Sequence, residues 1–275
     1  VGDGPRIEKQ EDDKVKKTRE LFKNITWECE VKTLFREENW GCKKSVSDGI
    51  NWFFSHVERG IILEDDCVPD ASFFPFCETL LERYKHSEQI MQIGGATPVA
   101  PIHQNQKESY NFYPFYIITG WATWRRAWNK IDLEIQNVES LQKDDYFHQI
   151  LPSRLVRKYI IDKFHKVKEG KISSWAYPWL YTIFKDRGLT IVPKHNLVEN
   201  IGWGEDATHT QTSNGLSIFN KSQEISFPLI HPNHIEITTP KENLNFFYNR
   251  HKNRKALLLT QWLPQTLLDK MRRIS

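Results

Sequence analysis

Gly60-Ile61-Ile62-Leu63-Glu64-Asp65-Asp66-Cys67-Val68-Pro69 is the stretch on which the fold turns. Residues 60–63 form a short unbroken apolar run, which a buried strand explains better than a helix. Three consecutive acids follow at its carboxyl end. Upstream, residues 42–57 place Val46, Ile50, Phe53, Phe54 and Val57 on one face at 3.6-residue spacing, the mark of an amphipathic helix. Before that, residues 8–24 read as a charged surface helix leading into a strand over 30–35. Downstream, Ser72 is placed to cap a helix over 73–85, and 90–93 is a second buried strand. This alternation predicts βαβ units: an α/β fold with a mostly parallel sheet flanked by helices, the 60–63 strand central and buried.

After Gly94-Gly95 the order changes. Residues 97–119 are rich in Pro, Asn, Tyr and Phe and read as a long loop, a length that usually signals function. Gly120-Trp-Ala-Thr-Trp-Arg-Arg-Ala-Trp128 then opens a helical, Trp-rich half with helices over 154–168 and 175–186, and 189–192 returns as a strand. The tail, 254–274, mixes Leu257, Leu258, Leu259, Trp262, Leu263, Leu267 and Leu268 with Lys255, Lys270, Arg272 and Arg273. It reads either as a helix docked on the domain or as a basic amphipathic contact with a membrane surface.

Composition narrows the function classes. With 38 Lys+Arg against 35 Asp+Glu, the formal charge of +3 is too small and evenly spread for a nucleic-acid footprint. No run approaches the 18 or so apolar residues of a membrane span. The expected location is therefore cytoplasmic, with peripheral membrane contact through the tail as the variant. Cys29, Cys42, Cys67 and Cys77 lack CxxC spacing and read as reduced, small apolar residues.

Three adjacent carboxylates at a strand end repel one another, and in a crevice they are costly unless a cation neutralises them. The carboxyl ends of strands are also where open α/β sheets bind ligands. Oxygen donors without a neighbouring Cys/His pair favour Mg²⁺ or Mn²⁺ over zinc. A solvated acidic turn is the plainer alternative.

Context adds a resemblance. Asn39-Trp-Gly41, then Gly49-Ile50, then a buried strand and Leu63-Glu-Asp-Asp66 resemble the GT-A nucleotide-sugar glycosyltransferases, in particular their family-2-like members. The segment 63–74, LEDDCVPDASFF, is similar to the E-D-D segment of N-acetylglucosaminyltransferase I and to a bacterial "hemolytic" glycosyltransferase group. GWATWRRAW (120–128) and NLVENIGWGEDATHT (196–210) resemble further motifs of that bacterial group, in the same order. The likeness runs from Asp3 to about Thr210, and it implies a strand-helix-strand unit ahead of the GDGP turn that this sequence does not include.

The resemblance implies the following roles. Asp66 is the direct ligand of Mn²⁺ or Mg²⁺, and His209 is a candidate second ligand or a hydrogen-bonded loop histidine. Glu64 and Asp65 contact ribose or sugar hydroxyls, and Asp3 holds the nucleobase. Arg36 and Lys43 are candidates for pairing with the diphosphate, or else solvated surface cations. Trp121 and Trp175 line the acceptor side, where rings pack on sugar C–H faces. Residues 1–119 are then the donor-binding half, 120–235 the acceptor-side half of the same domain, and 236–275 a C-terminal helical tail.

Inverting transfer also needs a general base for the acceptor hydroxyl. The resemblance puts that carboxylate near 176, in a W-D-Y-x-W pattern, but the residues here are Trp175-Ala176-Tyr177. Glu205 and Asp206 are the nearest replacements, and an Asp at 176 is expected to raise turnover. Three readings stand: a metal-dependent glycosyltransferase moving sugar from a nucleoside-diphosphate sugar to a glycan or other hydroxyl acceptor, a catalytically impaired GT-A protein that binds nucleotide-sugar or glycan, and a nucleotidyltransferase. The last wants a Gly-rich phosphate loop that GDGP does not supply.

Overall fold

A computed structural model describes residues 1–98, 106–202 and 221–250. Helix α1 (Asp12–Leu21), between single turns at Ile7–Lys9 and Phe22–Asn24, buries none of its residues, as a charged surface segment should. Helix α2 (Gly41–His56) turns Ile50 and Phe54 inward. Then come β1 (Arg59–Ile62), β2 (Cys67–Pro69), α3 (Phe73–Arg83) and β3 (Ile90–Gly94). Strands β4 (Tyr110–Tyr113) and β5 (Trp121–Trp124) precede three short helices, α4 (Arg125–Trp128), α5 (Val138–Gln142) and α6 (Asp145–Ile150). Helices α7 (Arg154–Lys168) and α8 (Ala176–Lys185), strands β6 (Leu189–Pro193) and β7 (Val198–Asn200), and helix α9 (Pro240–Arg250) complete the described elements.

Local chemistry sets several helix starts. Ser153 Oγ accepts from Val156 N at α7, and Asp144 Oδ1 accepts from Tyr146 N at α6. Thr239 and Glu242 cap α9 reciprocally: Glu242 Oε2 accepts from Thr239 N at 2.7 Å and Thr239 Oγ1 from Glu242 N at 3.3 Å. At α3 the expected Ser72 cap is not made. Asp70 Oδ1 accepts from both the N–H and the hydroxyl of Ser72, and the Ser72 Oγ in turn accepts from Ile225 N.

The fold is mixed α/β, but its sheet is not mostly parallel. Five strands run in the order β1-β5-β3-β6-β4, and of the four pairings only β3 with β6 is parallel. The reason lies in residues 120–128, expected to open the helical, Trp-rich half. Trp121–Trp124 instead forms a strand that enters antiparallel between β1 and β3. All four of its residues are buried, so they show no amphipathic period to read. The 97–119 stretch likewise contains β4. With β5 taking its inner side, β1 becomes the edge of the described sheet rather than its centre, and Leu63 is 40% exposed. The strand expected over 30–35 reduces to one parallel bridge, Gly2 with Phe35. A second two-stranded sheet pairs β2 with β7 antiparallel.

Side chains alternate across the main sheet into two packed layers. One face carries Ile61, Ile93, Ala122, Trp124 and Ile191 against α3. The other carries Ile62, Met91 and Trp121 against α2 and α8. The α7–α8–α9 side packs on Tyr113 and Val192. Despite its antiparallel members, the sheet keeps β1, β3 and β6 pointing the same way, since β1 and β3 both oppose β5 and β6 parallels β3. Their carboxyl ends therefore share one rim.

Candidate functional site

The acids lie at that rim. After β1 the chain turns, Cys67 N donating to Glu64 O at 3.1 Å, and enters β2. Strand β7 runs beside β2 in the register Cys67↔Asn200, and Ile201 N donates to Asp66 O at 2.8 Å. Two motifs more than 130 residues apart, 64–66 and 196–202, are thus neighbours. Asn200 Oδ1 accepts from Gly202 N at 3.0 Å, which fixes the approach of Gly202. A Cβ on Gly202 would fall 2.5 Å from Asp66 Oδ2, so only glycine leaves the carboxylate its place. Gly202 is a site residue that its place in the 196–210 motif could have flagged. On the other side, Gly120 adopts φ +56° and its carbonyl accepts from Gly95 N at 2.7 Å, joining the ends of β3 and β5.

The three acids differ. Asp65 is exposed, and Asp66 is half-buried and accepts from the Cys67 thiol at 3.5 Å. Glu64 Oε1 is buried with no hydrogen-bond partner among the described residues. Burial, and then the charges of Asp66 and Asp65, push the Glu64 carboxyl up to about 7. Among the described residues no lysine or arginine forms an ion pair with any of the three. Burial disfavours the thiolate of both flanking cysteines: it drives Cys67 to about 12 and raises Cys42, whose thiol also feels Glu64.

The other candidates fall in different places. The Asp3 carboxylate accepts from Trp40 N and Gly41 N and so caps α2, its negative charge at the positive end of the helix. Arg36 is buried, pairs with Asp48 Oδ2 at 2.6 Å and lies 4.2 Å from the centre of the Trp40 ring. Lys43 reaches Glu134 at 3.5 Å. Neither cation is held for the acids. Trp121 (0% exposed) and Trp175 (2% exposed) stack at 5.7 Å inside a cluster with Trp128 and Trp179, so they are core residues and offer no open ring face to an acceptor. Ala176 is in the same cluster at 6% exposure, where a carboxylate would face packed rings rather than a crevice. Glu205, Asp206, His209 and the 254–274 tail lie outside the described residues.

Hard oxygen donors without a cationic partner, one of them an orphaned buried oxygen, fit a divalent cation such as Mn²⁺ or Mg²⁺. Among the described residues no three His, Cys, Asp or Glu side chains are grouped as a metal-holding set. No described helix is long and apolar enough to cross a membrane. The sequence matches no family model and no curated protein.

Proposed function

We propose that this chain is a metal-dependent glycosyltransferase of the GT-A kind, moving a sugar from a nucleoside-diphosphate sugar to a glycan or other hydroxyl acceptor. The observation that carries the reading is the Glu64-Asp65-Asp66 cluster, uncompensated by any described cation at the rim shared by three co-directional strands, with the 196–202 motif alongside. Asp66 and Glu64 would hold the cation, with diphosphate oxygens and water among the remaining donors. Bound there, the ion would neutralise the departing nucleoside diphosphate. Asp65 would orient a ribose or sugar hydroxyl, and Gly202 leaves the Asp66 carboxylate its place. Asp3 supports this indirectly by fixing the start of α2 beside the site.

A second reading is favoured by one observation. Position 176 lacks a carboxylate and is buried, which suits a nucleotide-sugar-binding module without a base of its own. Transfer of radiolabelled sugar from a donor panel separates the two, and pyrophosphate release would point to a nucleotidyltransferase instead.

The direct test is a thermal-shift screen of nucleoside diphosphates with and without Mn²⁺. A ligand at 100 times its dissociation constant stabilises by about 2.7 kcal/mol, a shift of several degrees at this size. Asp66→Ala should keep the ligand-free melt and lose the Mn²⁺-dependent shift. No shift in the parent with any diphosphate, or an Asp66→Ala response equal to the parent's, overturns the proposal.

A further inference from the structure

The outer face of the small β2–β7 sheet brings a further carboxylate beside the acids. Val68 lies opposite Glu199 and Cys67 opposite Asn200, and the bond from Ile201 N to Asp66 O carries the ladder one pair further. Side chains of such a pair alternate between its two faces. Cys67 and Val198 pack into the core under α3. Asp66, Val68, Glu199 and Ile201 therefore share the opposite face. That face is open: Val68 is 44% and Ile201 58% exposed, and Glu199 is half-buried.

Glu199 differs from the carboxylates that surround the rim. Asp3 caps α2, Asp48 pairs with Arg36, Asp70 accepts from Ser72, and Glu134 pairs with Lys43. Glu199 forms no ion pair with any described lysine or arginine. In the ladder it is the diagonal neighbour of Asp66, and such neighbours stand about 7–8 Å apart. That is of the same order as the roughly 6.5–9.5 Å between the two carboxyl groups that flank the reacting carbon in inverting glycosidases. A sugar carbon and an attacking oxygen fit between groups so spaced.

We propose that Glu199 is the proton acceptor of the transfer step, an assignment that rests on the glycosyltransferase reading of the rim. The acceptor lies across Val68 and Ile201 with its hydroxyl at the Glu199 carboxylate. The hydroxyl oxygen bonds to the anomeric carbon of the donor as the bond from that carbon to the diphosphate breaks. The hydroxyl proton passes to Glu199, and the electron pair of the broken bond leaves with the nucleoside diphosphate. The base is thus supplied by β7, where the sequence pointed to the first turn of α8 and the structure buries Ala176.

The test sets a binding readout beside a turnover readout on the full chain. Parent, Glu199→Gln and Glu199→Asp are compared for the Mn²⁺-dependent thermal shift with UDP and GDP. They are also compared for release of labelled sugar from UDP- and GDP-sugars to p-nitrophenyl glycosides and to water. Glu199→Gln should melt as the parent does, keep the full Mn²⁺-dependent shift, and lose about 10²- to 10⁴-fold in kcat. Glu199→Asp, which keeps a carboxylate, should retain more of the rate. A Glu199→Gln rate equal to the parent's, or a slower Glu199→Asp than Glu199→Gln, overturns the base. Loss of the Mn²⁺-dependent shift in Glu199→Gln overturns it too, since the residue would then serve nucleotide binding. A parent that shifts with Mn²⁺ and diphosphate but releases no sugar is a binding module, and Glu199 has no proton to accept. A parent with neither shift nor release removes the glycosyltransferase reading itself, and the base with it.

Discussion

Glu64 is where the chemistry of single residues is most exposed. Its carboxyl is held up to about 7 because burial and two neighbouring acids both penalise the charge. A folded-state value above the unfolded one means that ionising Glu64 costs stability, a cost absent below the ordinary value of 4.5, growing as pH rises from there and complete above about 7. Glu64→Gln should therefore raise the melting temperature at pH 8 and change it little at pH 5, as followed by circular dichroism. Equal effects at both values would mean that folding does not shift the ionisation of this carboxyl. The raised value was not legible in the sequence. Three adjacent acids can be read, but which of them is turned inward depends on β1 ending at Ile62 and on Cys42 standing beside it.

Helix α8 shows the same limit at the scale of an element. The sequence predicted the helix nearly to the residue, 175–186 against Ala176–Lys185, because Gly188 and the following apolar run mark its end. Its orientation was not predictable. Eight of its ten residues are buried, leaving no wet stripe to say which side faces a site. Ala176→Asp, expected from the sequence to raise turnover, is instead a core substitution. A carboxylate at the first turn of a helix gains about 0.5 kcal/mol from the dipole, whereas burying an unpaired charge or its neutral form costs about 2–4 kcal/mol. The burial cost wins. Urea denaturation should show a loss of that order with no gain in activity; a neutral or stabilising effect would place residue 176 at an open crevice after all.

For the whole molecule, the connection between layers runs through Gln92. It is fully buried on β3; its amide donates to Ile117 O at 2.6 Å, while its oxygen accepts from Ile117 N at 3.0 Å and Thr190 Oγ1 at 3.1 Å. One side chain thus holds the segment leading into β5 against β3 and β6. Gln92→Leu keeps the volume but strands the N–H and C=O of Ile117, and it should cost about 2–4 kcal/mol. Calorimetry checks this, and a loss below about 0.5 kcal/mol would show that the segment is held by packing alone.

The sequence by itself determined the local elements whose period or punctuation is unambiguous: α2, α3, α7, β1, β3 and β6, together with the acid triplet at a strand end. Those follow from the spacing of apolar residues and from short-range caps. Tertiary structure decided the rest. A strand buried on both faces, such as Trp121–Trp124, carries no alternation to distinguish it, so only its ladders to β1 and β3 reveal that the sheet is mixed and that β1 is at its edge. The same holds for the site. Asp66 meets Gly202 and the tryptophans turn inward because distant segments pair and pack, and the energy that selects those pairings belongs to contacts no single stretch of sequence contains.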